Sequence, residues 1–324
     1  LILINLDTPL EELRNHLFYL GFLNSEKEEV LSVEKPGEGN MNVVLRIKTN
    51  ERSFILKQSR PYVEKYKQIE APVERIDVEH QFYESIQDDN LIGHIPKIID
   101  YNESEHILIL QDLGTCEDMT SAYETREIKI KTLLKLIQFL NIIHAKSTPK
   151  DFPKNMGLRQ LNHQHIFVLP FMENNGFQLN DVQNGLQELS LPYKKDAALK
   201  REIKKIGEKY LSTGNTLLHG DFYPGSWMTE GDNIYIIDPE FSFLGFAEFD
   251  LGIMTAHLTM ITMENHFLDV ILQHYTHKVD SKLIKQVTGI EIMRRLIGLA
   301  QLPLNRTLQE KEMLLKMAKK LILP

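Results

Sequence analysis

The sequence predicts an α+β chain of two lobes, the first an antiparallel sheet with a helix and the second mainly helical. Three observations lead there. The 324 residues exceed what one core comfortably serves, and 42% hydrophobic with 25% charged residues is a globular composition. Short apolar runs broken by turn residues fill much of 30–110. Beyond Gly114 the apolar residues recur at helical spacing instead. The expected lobes are 1–113 and 114–324.

The chain opens on a helix signal. Thr8 is a candidate N-cap, Pro9 suits the first helical position, Leu10, Leu13 and Leu17 share a face, and Gly21 is a stop. Runs at 30–36, 42–48 and 52–58 then read as three antiparallel strands, separated by Pro36-Gly37-Glu38-Gly39-Asn40 and by Thr49-Asn50-Glu51. A helix over Val73–Ile86 follows. Two further strands, Lys97–Tyr101 and His106–Leu110, flank the turn Asn102-Glu103-Ser104. In the second lobe, Ile128, Leu133, Leu134, Ile137, Leu140 and Ile143 make the apolar face of one long helix. Residues 215–241 break the helical pattern, with β-like runs Thr216–Leu218 and Ile234–Ile237 around a cluster of His, Gly, Asp and Pro. Residues 147–198, rich in Asn, Gln and Pro, carry no clear pattern, and no internal repeat is present.

The single cysteine, Cys116, cannot form an intramolecular disulfide, which fits a reducing compartment. The first ten residues lack the basic stretch of a signal peptide, and no apolar run approaches the roughly 18 residues that span a bilayer. A cytoplasmic protein without a membrane partner is expected, as a monomer or homodimer. Net charge is -8 and unevenly spread, with 12 basic and 21 acidic side chains up to residue 114 and 25 and 24 beyond it. Such a surface argues against nucleic acid as a partner, although a local basic site can still hold one nucleotide.

The most informative residues are His219-Gly220-Asp221, then Ser226, then Asp238-Pro239-Glu240. A carboxylate at one strand end, followed 17 residues later by two more at another, suits metal-assisted phosphoryl transfer. That reaction needs one carboxylate to receive or orient the attacking hydroxyl and others to hold Mg2+ against phosphate oxygens. The spacing would let one β-hairpin bring the two ends together. Turn chemistry alone also explains Asp residues here. The first lobe supplies the other half. Its Gly37–Asn42 loop can turn backbone N–H groups toward phosphates, Lys57 ends a strand, and Glu79 lies 22 residues on along the next helix, positioned to pair with it. That ordered set is much harder to obtain by chance than any one member.

These segments resemble the kinase-like small-molecule phosphotransferases, the family of aminoglycoside phosphotransferases and choline kinases, and within it most of all the methylthioribose kinases. The resemblance rests on Gly37-Glu38-Gly39-Asn40-Met41-Asn42, Leu56-Lys57-Gln58 with Pro61-Tyr62-Val63, His219-Gly220-Asp221 with Gly225-Ser226, Asp238-Pro239-Glu240-Phe241, and Met293-Arg294-Arg295 with Gly298-Leu299-Ala300. It implies a two-lobed protein-kinase-like fold, with a nucleotide-binding first lobe and a second lobe for catalysis and substrate. It also implies ATP and Mg2+ as cofactors and a hydroxylated small molecule as acceptor. By resemblance, Gly37, Gly39, Asn40 and Asn42 belong to the nucleotide loop, Lys57 contacts the α- and β-phosphates, and Glu79 positions Lys57. Gln111 and Leu113 offer backbone groups to adenine, Asp221 is the catalytic base, and Asp238 and Glu240 bind Mg2+. Ser226, where most relatives carry Asn but methylthioribose kinases share Ser, is a further candidate metal ligand.

Arg294 and Arg295 are weighed separately. If one helix runs through them, Glu291, Arg294, Arg295, Gly298 and Gln301 form a narrow polar arc on an otherwise apolar surface. An arginine pair on an ordinary helix is as often solvated as functional, but so narrow an arc favours a cleft. The resemblance implies a sugar-binding role for both. Trp227 is a candidate floor of the acceptor pocket, although lone tryptophans are usually core. His163 and His165 lack partners for a metal, and the lysines of 194–209 read as a solvated helix face. The rivals are a kinase of a cationic acceptor, of the aminoglycoside or choline type, a nucleotide-binding pseudokinase, and a kinase of some other sugar or sugar-like metabolite. A polycation would be expected to select an acidic second lobe, and this one carries an arginine pair.

Overall fold

Alternating burial along Val43–Thr49 sets the frame, because Val43, Leu45, Ile47 and Thr49 face inward while the residues between them do not. The computed structural model describes residues 2–37, 39, 41–87, 90–146 and 151–323. It divides into two compact units, Leu1–Cys116 with Tyr235–Phe241, and Glu117–Ile234 with Ser242–Pro324.

In the first unit, α1 (Leu10–Tyr19) precedes β1 (Val30–Glu34), β2 (Val43–Thr49), β3 (Ser53–Gln58), a small hairpin of β4 (Tyr62–Val63) and β5 (Tyr66–Glu70), α2 (Arg75–Ser85), β6 (Ile98–Asn102) and β7 (Ile107–Gln111). The main sheet runs β1-β2-β3-β7-β6, antiparallel throughout. One core joins Leu13 and Leu17 of α1 to Leu45, Ile47, Phe54, Leu56, Ile107 and Ile109. Thr8 is not the helix cap. Pro9 takes that position, and the Thr8 hydroxyl instead accepts from Asn5 N at 2.9 Å.

The second unit holds β8 (Glu117–Asp118), α3 (Ala122–Thr125), α4 (Ile130–His144), α5 (Met156–His163), α6 (Leu179–Val182), α7 (Leu186–Lys194), α8 (Ala197–Leu211), β9 (Thr216–Leu218) and β10 (Trp227–Glu230). The chain passes through β11 (Asn233–Ile236) into the first unit and returns at β12 (Phe243–Gly245), followed by α9 (Glu248–Thr262), α10 (Phe267–His274), α11 (Ser281–Ile297) and α12 (Leu308–Ile322). Its core gathers around α9 and α11, both buried over most of their length. The α+β class, the antiparallel first unit and the helical second are those the sequence predicts. The expected single hairpin is not found, because β9 pairs antiparallel with β12, whose Phe243 lies opposite Leu218. The lysines of α8 are solvated, but Lys194, at the end of α7, is fully buried. Among the described residues, no helix is long and apolar enough to cross a membrane.

Candidate active site

Two sets of polar side chains, one in each unit, collect most of the residues singled out in the sequence. In the first unit, α2 presents Arg75 and Glu79, one turn apart on the same face. Lys57, at the end of β3, is buried, and its Nζ lies 2.6 Å from Glu79 Oε1. The same ammonium meets Asp238 Oδ1. Burial opposes the charge on Lys57, but Asp238 and Glu79 outweigh it and hold the lysine well above its ordinary range. Asp238 has φ +60°, a left-handed conformation rare for a residue before proline. Two residues on, Glu240 is also buried; Asn42 Nδ2 donates to its Oε2 at 2.8 Å and Arg75 Nε lies 3.6 Å away. Burial pushes Glu240 up to about 8, against the pull of Arg75 and with the carboxylates of Glu79 and Asp238 adding to the rise.

Arg75 was not singled out by the sequence. It is fully buried and ties the site together, donating to Asn42 Oδ1 at 2.7 Å, Arg60 O at 2.9 Å and Met41 O at 2.9 Å. The Asn42 side chain thus holds Glu240 and Arg75. Gly37 and Gly39 lie in the β1–β2 connection, where Gly39 N donates to Gly37 O at 3.2 Å and a Cβ on Gly39 would stand 3.3 Å from Asn42 O. Asn40 lies outside the described residues. At the end of β7, Gln111 N is committed to Lys97 O at 2.8 Å, and just beyond the strand Leu113 O accepts from Cys116 N at 3.5 Å.

In the second unit, the His219-Gly220-Asp221 turn is held from beneath by Asp250 of α9. Its two oxygens accept from His219 N at 2.7 Å and Gly220 N at 2.9 Å. His144 Nε2 lies 3.2 Å from the same carboxylate, and Gly220 supplies the φ of +85° that the turn requires. Ser226 Oγ donates to Asp221 O at 2.6 Å, so its proton closes the turn while its lone pairs stay available. Trp227 is fully buried against Phe222, a core position rather than a surface that an acceptor can touch.

Arg294 and Arg295, in the last turn of α11, are not solvated, at 6% and 7% exposure. Their guanidinium groups reach Asp221 Oδ1 at 3.7 and 3.4 Å. Glu291, one turn earlier, accepts from both Nε atoms, at 2.8 Å for Arg295. The polar arc is shorter than the spacing suggests. The helix stops at Ile297, and Gln301 folds back to cap Gly298 O at 2.7 Å.

Asp250, Arg75 and the groups behind Glu291 are what sequence reasoning missed. A lone Asp within the apolar stretch 248–262 was a signal for the first, and an arginine one turn before Glu79 for the second. Among the described residues, no three His, Cys, Asp or Glu side chains form a group that could hold a metal ion. A pair of hard oxygen donors, Asp238 and Glu240, still fits Mg2+, which commonly takes one or two carboxylates and fills its sphere with phosphate and water.

This sheet, the buried Lys57–Glu79 pair and the carboxylate turns define a protein of the kinase-like phosphotransferase class. The sequence pattern of the phosphotransferase enzyme family matches residues 32–283, and the chain belongs to that family. A methylthioribose kinase of Exiguobacterium sibiricum is 27% identical over 74% of this chain and 63% of its own length. Methylthioribose kinase 1 of Oryza sativa subsp. japonica is 25% identical over 72% and 56%. The chain therefore spans somewhat less than two thirds of these curated relatives. Among solved structures, the choline kinase of Streptococcus pneumoniae superposes with a TM-score of 0.53 at 15% identity, covering 96% of this chain and 99% of that one. A spectinomycin phosphotransferase in complex with ADP and spectinomycin gives 0.54 at 13%, covering 98% of each.

Proposed function

We propose that this chain is an ATP- and Mg2+-dependent kinase of a hydroxyl on a small metabolite, with a methylthioribose-like sugar as acceptor. The observation that carries the activity is the buried Lys57 ammonium held between Glu79 and Asp238. A charged lysine fixed by two carboxylates is suited to nucleotide phosphates. Glu79 fixes its position, and Asp238 and Glu240 hold Mg2+, with Asn42 and Arg75 aiming Glu240. Held by these two carboxylates, Mg2+ would supply positive charge to offset that of the phosphate oxygens. Gly37 and Gly39 add no side-chain bulk at their two positions of the loop proposed to face the phosphates. Leu113 offers its backbone to the base, with Gln111 contributing through its carbonyl, since its N–H is already used. Asp221 takes the acceptor's proton, and Ser226, through the Asp221 carbonyl, keeps the turn in shape.

The acceptor class rests on charge. Around Asp221 Oδ1 stand Arg294 and Arg295, balanced by Glu291 and by Asp221 itself, so the set has no surplus negative charge to attract a polycation. This favours a neutral polyol over the aminoglycoside and choline alternatives. The single Cys116 suits a reducing, cytoplasmic setting. The test is ATP consumption against methylthioribose, other ribosides, choline and aminoglycosides. Turnover strongest with a neutral sugar is expected, preference for a polycation would overturn the acceptor assignment, and nucleotide binding without any turnover would mark a pseudokinase.

A further inference from the structure

Behind the arginine pair lies a chain of buried groups that the phosphotransfer chemistry does not itself need. Glu291 is 1% exposed, yet its carboxylate is shared by three donors: Arg294 Nε, Arg295 Nε at 2.8 Å and His257 Nε2 at 3.0 Å. His257 is fully buried on α9, and its other nitrogen, Nδ1, lies 2.5 Å from the hydroxyl of Tyr123, itself fully buried on α3. The direction of these bonds is set by chemistry. A carboxylate only accepts, so His257 carries its proton on Nε2, and Nδ1 must then accept from Tyr123. Burial pushes His257 down to about 4, against the pull of Glu291, so it stays a neutral donor above that pH. Glu291 is held well below the carboxylate range, because the two arginines outweigh its burial. Tyr223 completes the frame, with the Arg295 guanidinium 4.9 Å above its ring.

We propose that Glu291, fixed by His257 and Tyr123, is a positioning residue that turns the Arg294 and Arg295 guanidinium groups onto Asp221 Oδ1 and so orients that carboxylate for the acceptor. The proposal rests on the reading of Asp221 as the base. An arginine has one Nε–H and four terminal N–H donors in a plane. Anchoring Nε on Glu291 fixes that plane and leaves the terminal donors for Asp221. Without the carboxylate, each guanidinium is free to rotate, and two buried cations face Asp221 with no second counter-charge.

The test uses the full chain with ATP, Mg2+ and methylthioribose, and compares Glu291→Gln, Tyr123→Phe and Asp221→Asn. Glu291→Gln should lower kcat at least about tenfold while the KM for ATP stays within about twofold, because the positioned groups act on the acceptor side. Tyr123→Phe keeps the ring and removes only the hydroxyl; a two- to fivefold loss of about the same kind is expected, and it stands in if Glu291→Gln does not fold. Nitrogen-15 NMR adds a reading independent of turnover. The Nε–H signals of Arg294 and Arg295 should be slow to exchange in the parent and lose that protection in Glu291→Gln, while the rest of the spectrum holds. Parental kcat in both variants, or unprotected Nε–H signals in the parent, overturns the positioning role. Parental turnover in Asp221→Asn, or none in the parent with any acceptor of the panel, instead overturns the reading on which it rests.

Discussion

Lys57 keeps its charge in a place where burial alone would strip it, because the carboxylates of Asp238 and Glu79 lie against its ammonium. Lys57→Ala should therefore weaken ATP binding by about 1.5 to 3 kcal/mol, the scale of a charge-assisted contact, and leave the acceptor's KM nearly unchanged. Calorimetry with a non-hydrolysable ATP analogue reads the first quantity and steady-state kinetics the second. The converse pattern would remove Lys57 from the nucleotide. Asp221→Asn should do the opposite, lowering turnover by about two to four orders of magnitude with nucleotide binding intact. Activity within tenfold of the parent would sink the base assignment. His257 gives a pH dependence with a definite sign. Its pKa is about 4 in the fold against 6.5 for the ordinary group, so between those values the unfolded chain binds more protons. Stability then rises with pH through that window, by at most about 1.4 kcal/mol per unit from this group, and is lost on acidification. Glu291, held low in the fold, adds to the loss below about pH 4.5, where the unfolded chain takes up a proton on this carboxylate and the folded one does not. Urea unfolding at pH 7, 5.5 and 4.5 should show a steeper acid decline in the parent than in His257→Gln, and equal slopes would rule out a neutral buried histidine.

At the scale of elements, the helix that carries Glu291 and the arginines is seated by two glycines. A Cβ on Gly252 of α9 would stand 2.6 Å from Val287 of α11, and one on Gly289 of α11 would stand 2.5 Å from the backbone oxygen of Ala318 on α12. Backbone cannot yield as a flexible side chain can, so Gly289→Ala should force the two helices apart. A loss of about 1 to 3 kcal/mol is expected from urea unfolding, with turnover falling as the arginine pair shifts. Unchanged stability would mean that the α11–α12 contact has slack. The same elements mark where the sequence was legible. Period-two burial in β2 and the Lys57–Glu79 spacing were readable because both partners belong to strongly patterned segments. The Asp238-Pro239-Glu240 turn stood out as a pair of carboxylates, but its packing with Lys57 was not readable, since 235–241 joins the first unit by contacts that no local pattern encodes. Three-residue strands such as β9 and β12 are too short to show a period, which is why β9 was matched to the wrong partner. Tyr123 and His257 are 134 positions apart in the chain, and each alone reads as an ordinary buried ring.

For the molecule as a whole, the charge distribution makes the proposed acceptor class testable. The net negative charge lies before residue 115, where 21 acidic residues face 12 basic ones, while the remainder is nearly balanced at 25 basic and 24 acidic residues. Within that balanced part, Arg294 and Arg295 are buried and committed, through Glu291, to the carboxylate expected to act on the acceptor. Replacing either by Lys keeps the charge and removes the planar donor fork, and a lysine cannot hold Glu291 and reach Asp221 with the same geometry. If the pair serves the acceptor, kcat/KM for the sugar should fall at least about tenfold while ATP affinity is preserved. If the pair only fills a charged hole in the core, the same substitutions should cost stability and reduce every activity in proportion to the folded fraction, with the KM of neither substrate altered. Measuring unfolding free energy beside the two KM values separates these outcomes. An acceptor kcat/KM equal to the parent's in both variants, once scaled to the folded fraction, would return the arginines to a structural role and leave the sugar assignment without its specificity argument.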